Sequence, residues 1–242
     1  MMFDFELVMP AYNEGENLPI VIKNTINAAK KYGFNSNRFQ LILVNNGSTD
    51  NSSAIIKSIL KSPAEQWIKL ISIKENVGYG HGIWAGLQAS SAEYVAWTHA
   101  DMQCDIENVF KGLTLLQESS KNTIVKGFRI GRNWKDTLVS RFFEILAWLI
   151  LGHRIREINA QPKVFHRSLL PLIKSPPIDF AFDLYVLYVA KKAGFASQSI
   201  QVLFPPRIHG VSKWASNFFS KYKTIILMIR FMLLLKQQRR IH

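Results

Sequence analysis

The chain has 242 residues, and its apolar content of 48% suits one large folded domain and excludes a disordered chain. A formal net charge of +13 indicates an anionic partner, such as phosphate substrates, lipid headgroups or nucleic acid. The single cysteine, Cys104, excludes an internal disulfide and a cysteine metal cluster, which favours a reducing compartment, and a signal peptide is not predicted.

Short β-rich runs alternate with helical stretches along the first 130 residues. Strands are predicted over 5–9, 40–44, 67–73, 93–97 and 122–127. Helices are predicted over 17–31, from the capping residues 48–52 through Leu60, from the glycine-rich turn 77–82 through Ala89, and over 106–116. This alternation predicts parallel strand–helix–strand units and an open, mostly parallel α/β sheet with flanking helices.

The pattern changes after about residue 130. The sequence then predicts a helix with a broad apolar face over 134–151, a loop around 159–163, a helix through Lys192, a strand over 198–204 and a long C-terminal helix. Neither an internal repeat nor a low-complexity linker interrupts this order. We therefore expect one domain with a C-terminal elaboration.

The C-terminal third combines positive charge with apolar residues. No Asp or Glu follows Asp183, whereas ten Lys and Arg residues do. The longest apolar runs, 142–151 and 224–235, are shorter than the roughly 20 residues of a membrane-spanning helix. We predict that two amphipathic helices, about 136–151 and 215–236, lie on a membrane surface. A buried C-terminal helix with a solvated basic face is the alternative; nucleic acid is not expected, because these apolar residues would face water beside it.

Polar clusters follow three of the predicted strands. They comprise residues 12–14 after the first strand, 45–50 after the second and 99–103 after the fourth. Ligands of open α/β sheets bind beyond the carboxyl ends of the strands. If the three clusters converge on one edge of the sheet, they form a ligand site.

Four segments carry ordered patterns: VMPAYNEGENLP at 8–19, VNNGSTDNS at 44–52, NVGYG at 76–80 and HADMQ at 99–103. In that order they resemble the opening, the second motif, the Asn-x-Gly-x-Gly turn and the Asp-Ala-Asp-x-Gln metal motif of family 2 glycosyltransferases, particularly the dolichol-phosphate mannose synthase-like branch. Later segments resemble acceptor-side positions and loops of that branch: 127–129, 140–141, 159–165 and 207–213. The resemblance covers roughly residues 5–215 and implies a GT-A fold.

By this resemblance, residues 1–213 form the GT-A domain, with a nucleotide-sugar half at about 1–130 and an acceptor half at about 131–213, and residues 214–242 form a basic amphipathic membrane-associating helix. The residues implied to bind the nucleoside diphosphate sugar are Pro10, Ala11, Tyr12, Glu14, Asn46, Asp50, Gly78, Ala100, Arg207 and Lys213. Core packing is the alternative for Tyr12, and helix capping is the alternative for Asp50. Asn45 and Asn46 replace acidic residues of the family, so the base preference does not carry over.

The motif at 99–103 implies a divalent cation. Sugar transfer must stabilise a diphosphate leaving group, and oxygen ligands suit Mg²⁺ or Mn²⁺ for this task. By the resemblance, Asp101 supplies the metal carboxylate and Gln103 a carbonyl oxygen. His99 stands where the family has Asp; either it ligates Mn²⁺, or it contacts ribose or phosphate, or it is a surface histidine.

On the acceptor side, Arg129, Arg141 and Lys163 are implied to bind the phosphate of a polyprenyl phosphate at the cytoplasmic face of a membrane. Such an acceptor is already a nucleophile, whereas a saccharide hydroxyl needs a general base, for which Asp183 is the candidate. The resemblance thus implies inverting sugar transfer to polyprenyl phosphate. Transfer to a saccharide hydroxyl and a catalytically silent nucleotide-sugar-binding protein are the alternatives.

Overall fold

The computed structural model describes residues 3–203 and 218–238. In this part of the chain the strands are β1 (Phe5–Ala11), β2 (Phe39–Asn46), β3 (Ile68–Ile73), β4 (Tyr94–Trp97), β5 (Thr123–Ile130), β6 (Lys163–His166) and β7 (Ala196–Leu203). The α-helices are α1 (Leu18–Lys31), α2 (Ser52–Ile59), α3 (Tyr79–Gln88), α4 (Glu107–Gln117), α5 (Trp134–Leu151), α6 (Ala181–Lys192) and α7 (Phe218–Gln238). Two short 3₁₀ helices cover Glu65–Trp67 and Arg167–Leu172.

The strands form one sheet in the order β3-β2-β1-β4-β6-β5-β7. Strand β6 is antiparallel to both neighbours, and the other paired strands are parallel. Because β6 runs in the opposite direction, it begins at the edge where β4 ends: Lys163, its first residue, pairs with Trp97. The prediction of an open, mostly parallel α/β sheet is confirmed.

Side chains of the central strands point alternately to the two faces of the sheet, and apolar residues pack on both faces. Leu7 and Met9 of β1 face a core shared with α1, α2 and α4, whereas Val8 faces a core shared with α3, α5, α6 and α7. Sheets covered on both faces have near-continuous apolar strands, as the sequence of β1 and β2 shows. The polar residues that follow these strands are therefore confined to the edge of the sheet.

Most predicted elements lie within a few residues of their predicted bounds. The helix over 134–151 is found unchanged, and β5 continues three residues further, to Ile130. The prediction of a loop around 159–163 is wrong at its end, because Lys163 begins β6. Phe204, the last residue of the strand predicted over 198–204, lies outside the described residues.

Helices α5 and α7 each have one buried and one exposed apolar face. Helix α7 places Met228, Met232 and Leu235 in the core and leaves Leu227, Leu233 and Leu234 exposed. One face of α7 is therefore buried, as the alternative of a buried C-terminal helix predicts. Within 3–203 and 218–238, no helix combines the length and apolarity needed to cross a bilayer. The exposed apolar residues of α5 include Trp134, Leu138, Phe142, Ile145 and Leu149, which share one face, together with Val139 and Trp148.

Replacing Gly86 with alanine is expected to lower the free energy of unfolding by about 1–3 kcal/mol, because overpacking a core costs this much. A Cβ at Gly86 of α3 would lie 2.3 Å from Val8 Cγ1, and a valine on a strand has little rotamer freedom to yield. Urea denaturation followed by circular dichroism measures the change. Gly112→Ala in α4 is the matched control, since its new Cβ would lie 3.0 Å from Val164 Cγ2. Equal stability of the two variants would contradict this account of the packing.

Candidate active site

The loops after β1 and β2 are joined by the side chain of Asn13. Asn13 adopts a left-handed backbone conformation, with φ of 57°, which Asn tolerates better than most residues. Its Oδ1 accepts a hydrogen bond from the Thr49 N–H at 2.8 Å, and its own N–H donates to Ser48 Oγ at 3.1 Å. The first two predicted polar clusters therefore converge, next to Pro10, Ala11 and Tyr12 at the end of β1.

Asp50 reinforces the same junction. Its Oδ1 accepts from the Ser52 N–H at 3.0 Å, and its Oδ2 accepts from the Gly15 N–H at 3.2 Å. Partial burial raises the pKa of Asp50, but the hydrogen bonds from Ser52 and Gly15 outweigh it, so the pKa lies below its ordinary value. Asp50 thus bonds the N–H of Ser52, the first residue of α2, from the position before the N-cap residue Asn51, and its contact with a base stays a prediction. The carboxylate of Glu14 accepts from Asn17 Nδ2 at 2.6 Å.

The amide of Asn46 connects β2 to the glycine-rich turn before α3. Asn46 is buried, and its Nδ2 donates to the Gly78 carbonyl at 3.0 Å. A carboxylate at this position could not donate that bond. The neighbouring Asn45 donates to Ser53 Oγ and accepts from the Ser48 N–H. The departure at Asn46 thus has a structural contact that requires an amide N–H, whereas the contacts of Asn45 would also suit a carboxylate, because the Ser53 hydroxyl can donate.

The glycines of the turn allow a second backbone segment to cross it closely. A Cβ at Gly78 would lie 2.1 Å from the Ile178 carbonyl oxygen, and one at Gly80 would lie 2.4 Å from that of Pro177. The Ile178 carbonyl also accepts from the His81 N–H at 3.1 Å. Gly78 therefore serves close backbone packing against the segment before α6. Its contact with a nucleotide stays a prediction.

Asp101 lies in the loop after β4, the third polar cluster. Its side chain is 3% exposed, its Oδ1 accepts from the Gln103 N–H at 3.1 Å, and its Oδ2 lies 3.7 Å from His99 Nδ1. Ala100 between them is buried. The side chain of His99 is 29% exposed. The loop thus presents a carboxylate and an imidazole to the same edge of the sheet.

These two side chains fit part of a cation site. Two ligands about 2.1 Å from one cation lie at most about 4.2 Å apart, which accommodates the separation of Asp101 and His99. No group of three or more His, Cys, Asp or Glu side chains with metal-binding geometry occurs in the described part of the chain. A divalent cation held here would therefore take its remaining ligands from a diphosphate and water.

Tyr79, the first residue of α3, connects this loop to the acceptor side. Its hydroxyl oxygen lies 2.9 Å from His99 Nε2 and accepts from Gln161 Nε2 at 3.2 Å. Its ring stacks on that of Phe180, with centroids 5.1 Å apart. Burial, followed by the negative charge of Asp183, raises the pKa of Tyr79 well above its ordinary value, so the hydroxyl stays protonated.

Lys163 and Asp183 form a buried ion pair. The Lys163 ammonium is bonded to Asp183 Oδ1 and to the Ala160 carbonyl, and Gln161 Nε2 donates to the same Asp183 oxygen at 3.2 Å. Burial lowers the pKa of Lys163, and the charge of Asp183 opposes this shift. The expected contact of Lys163 with an acceptor phosphate does not hold in this conformation, because the Lys163 side chain is fully buried.

The predicted acceptor arginines lie where β5 leads into α5. Arg129 is ion-paired at 2.7 Å with Glu157, whose N–H donates to Glu144 Oε1 on α5. Lys126, three residues earlier on β5, is buried, and its ammonium donates to the Arg156 carbonyl. Burial lowers the pKa of Lys126 to about 8. Arg141 is exposed on α5. Arg207 and Lys213 lie outside the described residues.

Sequence reasoning missed several residues of this site: Asn13, Tyr79, Lys126, Glu157 and Gln161. Asn13, Tyr79 and Gln161 lie within motifs that the sequence identifies, so their position in those motifs was the signal that could have found them. The partners described above are 13 to 82 residues away in sequence: Glu144 is the nearest partner of Glu157, and Gln161 is 82 residues from Tyr79. Only the folded chain shows these pairings.

Known proteins resemble this chain in sequence. The profile of Glycosyl transferase family 2 matches residues 6–170. An undecaprenyl-phosphate 4-deoxy-4-formamido-L-arabinose transferase from Pectobacterium atrosepticum is 33% identical over 214 residues, which cover 86% of this chain and 62% of that protein. A dolichyl-phosphate beta-glucosyltransferase from Homo sapiens is 26% identical over 201 residues, which cover 76% of this chain and 62% of that protein. The chain thus spans less than two thirds of the length of these relatives.

Solved structures share the fold. The glucosyl-3-phosphoglycerate synthase from Mycobacterium tuberculosis in complex with phosphoglyceric acid has a TM-score of 0.71 and 17% identity, covering 97% of this chain and 80% of that one. The same enzyme with Mn²⁺, UDP-glucose and glycerol 3-phosphate has a TM-score of 0.69 and 18% identity, with the same coverage. Identities this low show the fold alone, and they confirm the predicted GT-A fold. Because the family profile matches more than half of this chain, the chain belongs to glycosyl transferase family 2.

Proposed function

We propose that this chain is an inverting, metal-dependent glycosyltransferase that moves a sugar from a nucleoside diphosphate sugar to polyprenyl phosphate at the cytoplasmic face of a membrane. The observation that carries the proposal is the position of Asp101, buried beside His99 at the edge where β1, β2 and β4 end. The names of the curated relatives place dolichyl and undecaprenyl phosphates among their substrates. A solved relative of the same fold binds Mn²⁺ and UDP-glucose.

In this proposal, Asp101 and His99 hold the divalent cation, with Gln103 beside them. The cation would neutralise the negative charge of the departing diphosphate. We assign Pro10, Ala11 and Tyr12, which lie beside the loops joined by Asn13, to the platform of the nucleotide. The other residues that we assign to the nucleotide sugar are Glu14, Asn46, Asp50, Gly78, Ala100, Arg207 and Lys213. The chain's own contribution is to hold the donor with its diphosphate against the Asp101 loop.

The environment of Asp183 supports a phosphate acceptor over a saccharide hydroxyl. A general base must reach the proton that it removes, and Asp183 is instead buried in an ion pair with Lys163. A polyprenyl phosphate needs no base, because its oxygen is already an anion. We assign Arg129 and Arg141 to the acceptor phosphate, and Lys163 to the support of Asp183. Arg forks suit phosphate oxygens, and Arg129 lies where β5 joins α5.

The exposed faces of α5 and α7 support a membrane surface as partner. The apolar side chains of α5 recur at the spacing of one helix face, and the guanidinium of Arg154 lies 4.7 Å from the Trp148 ring beside them. Arg141 and Arg230 are exposed on the two helices. An apolar face flanked by cations suits the interface of an anionic bilayer. We keep 1–213 as the catalytic unit and 214–242 as the membrane-associating segment, although α7 also contributes to the core.

Asp101→Asn is expected to reduce transfer by at least about a hundredfold, because removing one stabiliser of developing charge costs about this much. The assay follows release of the nucleoside diphosphate and formation of the polyprenyl phosphate sugar, from a panel of nucleoside diphosphate sugars with Mn²⁺ and a short-chain polyprenyl phosphate. Asp105→Asn is the control, since Asp105 is exposed four residues along and caps the Glu107 N–H at 3.0 Å. Wild-type turnover by the Asp101 variant would refute the mechanism. Tight nucleotide binding without turnover by the wild type would favour the silent alternative.

Asp183→Asn is expected to lower the free energy of unfolding by about 3–5 kcal/mol, because it leaves the Lys163 ammonium buried without its counter-charge. Chemical denaturation measures this loss. Glu107→Gln, which breaks the exposed pair with Lys31, is the control and should leave the free energy of unfolding nearly unchanged, because exposed ion pairs contribute little. A variant that keeps its stability but loses only transfer to hydroxyl acceptors would instead identify Asp183 as a general base.

Phe142→Ser combined with Leu149→Ser is expected to reduce binding to phosphatidylglycerol vesicles by at least about tenfold, because each apolar side chain buried is worth about 1.5–3 kcal/mol. Flotation of the purified protein with vesicles measures binding. Ile20→Ser on α1, where Ile20 is 42% exposed, is the control and should float like the wild type. Substitution is preferable to removal of α7, whose buried residues belong to the core. Unchanged flotation of the double variant would refute a role for α5 at the membrane.

A further inference from the structure

The Tyr79 hydroxyl makes a hydrogen bond with one nitrogen of the His99 ring. The Tyr79 hydroxyl oxygen lies 2.9 Å from His99 Nε2, and the two rings are perpendicular, with centroids 5.4 Å apart. The other ring nitrogen, Nδ1, faces Asp101 Oδ2 at 3.7 Å. That distance is too long for a hydrogen bond. A cation bound to Asp101 would therefore meet His99 at Nδ1.

The contact with Tyr79 suits the ring form that can bind a cation. A phenol oxygen carries one proton and accepts up to two hydrogen bonds. Gln161 Nε2 donates to this oxygen at 3.2 Å, which leaves one acceptor position for His99 Nε2. A neutral imidazole that binds a cation through Nδ1 carries its proton on Nε2. In that form His99 Nε2–H donates to the Tyr79 oxygen, which fixes the orientation of the ring.

Tyr79 is itself held firmly. Its ring stacks on Phe180, and the glycines on either side, Gly78 and Gly80, let the backbone of 177–179 pack against the start of α3. Gln161, which donates to Tyr79, also donates to Asp183. The position of the hydroxyl is thus determined by several elements, and the orientation of His99 follows from it.

We propose that Tyr79 is a positioning residue that orients His99, so that Nδ1 and the Asp101 carboxylate bind one divalent cation and favour Mn²⁺ over Mg²⁺. Imidazole is a better ligand for Mn²⁺ than for Mg²⁺, which strongly prefers oxygen. A ligating histidine is usually held through its second nitrogen, and loss of that support weakens metal binding about 10–100-fold. The inference rests on the proposed function, in which the cation belongs to the Asp101 loop.

The test is direct Mn²⁺ binding, measured by electron paramagnetic resonance of free Mn²⁺ during titration of the full chain with MnCl₂ and inorganic pyrophosphate. Tyr79→Phe keeps the ring and removes the hydroxyl, and it should weaken Mn²⁺ binding by about tenfold or more. Tyr185→Phe is the matched control, because the Tyr185 hydroxyl donates to the Lys174 carbonyl instead. Its Mn²⁺ affinity should equal that of the wild type. Wild-type affinity of Tyr79→Phe would overturn the proposal.

Spin-echo modulation supplies a second readout that a merely structural role would not change. Mn²⁺ bound to the wild type should show coupling to an imidazole ¹⁴N nucleus, and His99→Asp should abolish this signal and lower the ratio of Mn²⁺ to Mg²⁺ affinity by at least about tenfold. This comparison stands even if Tyr79→Phe does not fold. Bound Mn²⁺ without nitrogen coupling in an active wild type would overturn the inference alone. A nitrogen-coupled site in a protein without sugar transfer would support the inference and refute the proposed function.

Discussion

The buried ion pair between Lys163 and Asp183 determines how the two halves of the site meet. It joins the first residue of β6 to the first turn of α6, and both side chains are almost completely removed from water. Two charges are costly to bury unless they are paired and further hydrogen-bonded, as they are here by Gln161 and the Ala160 carbonyl. From Asp183 the contacts continue through Gln161 to Tyr79 and then to His99. The proposed acceptor side and the Asp101 loop are thus parts of one polar network.

Local patterns were sufficient to predict most of the fold. The alternation of apolar strands and helices located six of the seven strands. The signal is strongest for the central strands β1 and β2, whose near-continuous apolar runs are buried on both faces of the sheet, whereas the edge strand β7 is largely exposed. The polar clusters after β1 and β2 also converge as predicted, through Asn13 and Asp50. Strand β6 was missed because it has only four residues and begins with a lysine. Its apolar residues find partners in β4 and β5, which are distant in sequence.

The site was predictable only as far as residue type reveals a role. A carboxylate after a strand pointed to Asp101, whereas nothing in the sequence distinguished Lys163, which is buried, from Arg141, which is exposed. The exposure of a lysine or arginine side chain depends on what packs around it, and for Lys163 this packing follows from the antiparallel insertion of β6. Likewise, Asn46 departs from the family's acidic residue, and its reason is visible only in the bond that it donates to Gly78.

The direction of β6 has a further consequence for α5. The chain leaves the sheet at the end of β5 through residues 131–133, forms α5, and re-enters the sheet at Lys163, on the same edge. The segment 131–162, which contains α5, therefore begins and ends at this edge of the sheet. Glu144, in the middle of α5, also accepts a hydrogen bond from the Glu157 N–H. Under the proposed function, a membrane that binds the exposed face of α5 would lie at a fixed distance from the Asp101 loop. The fold would then set the distance that a lipid-linked acceptor has to span.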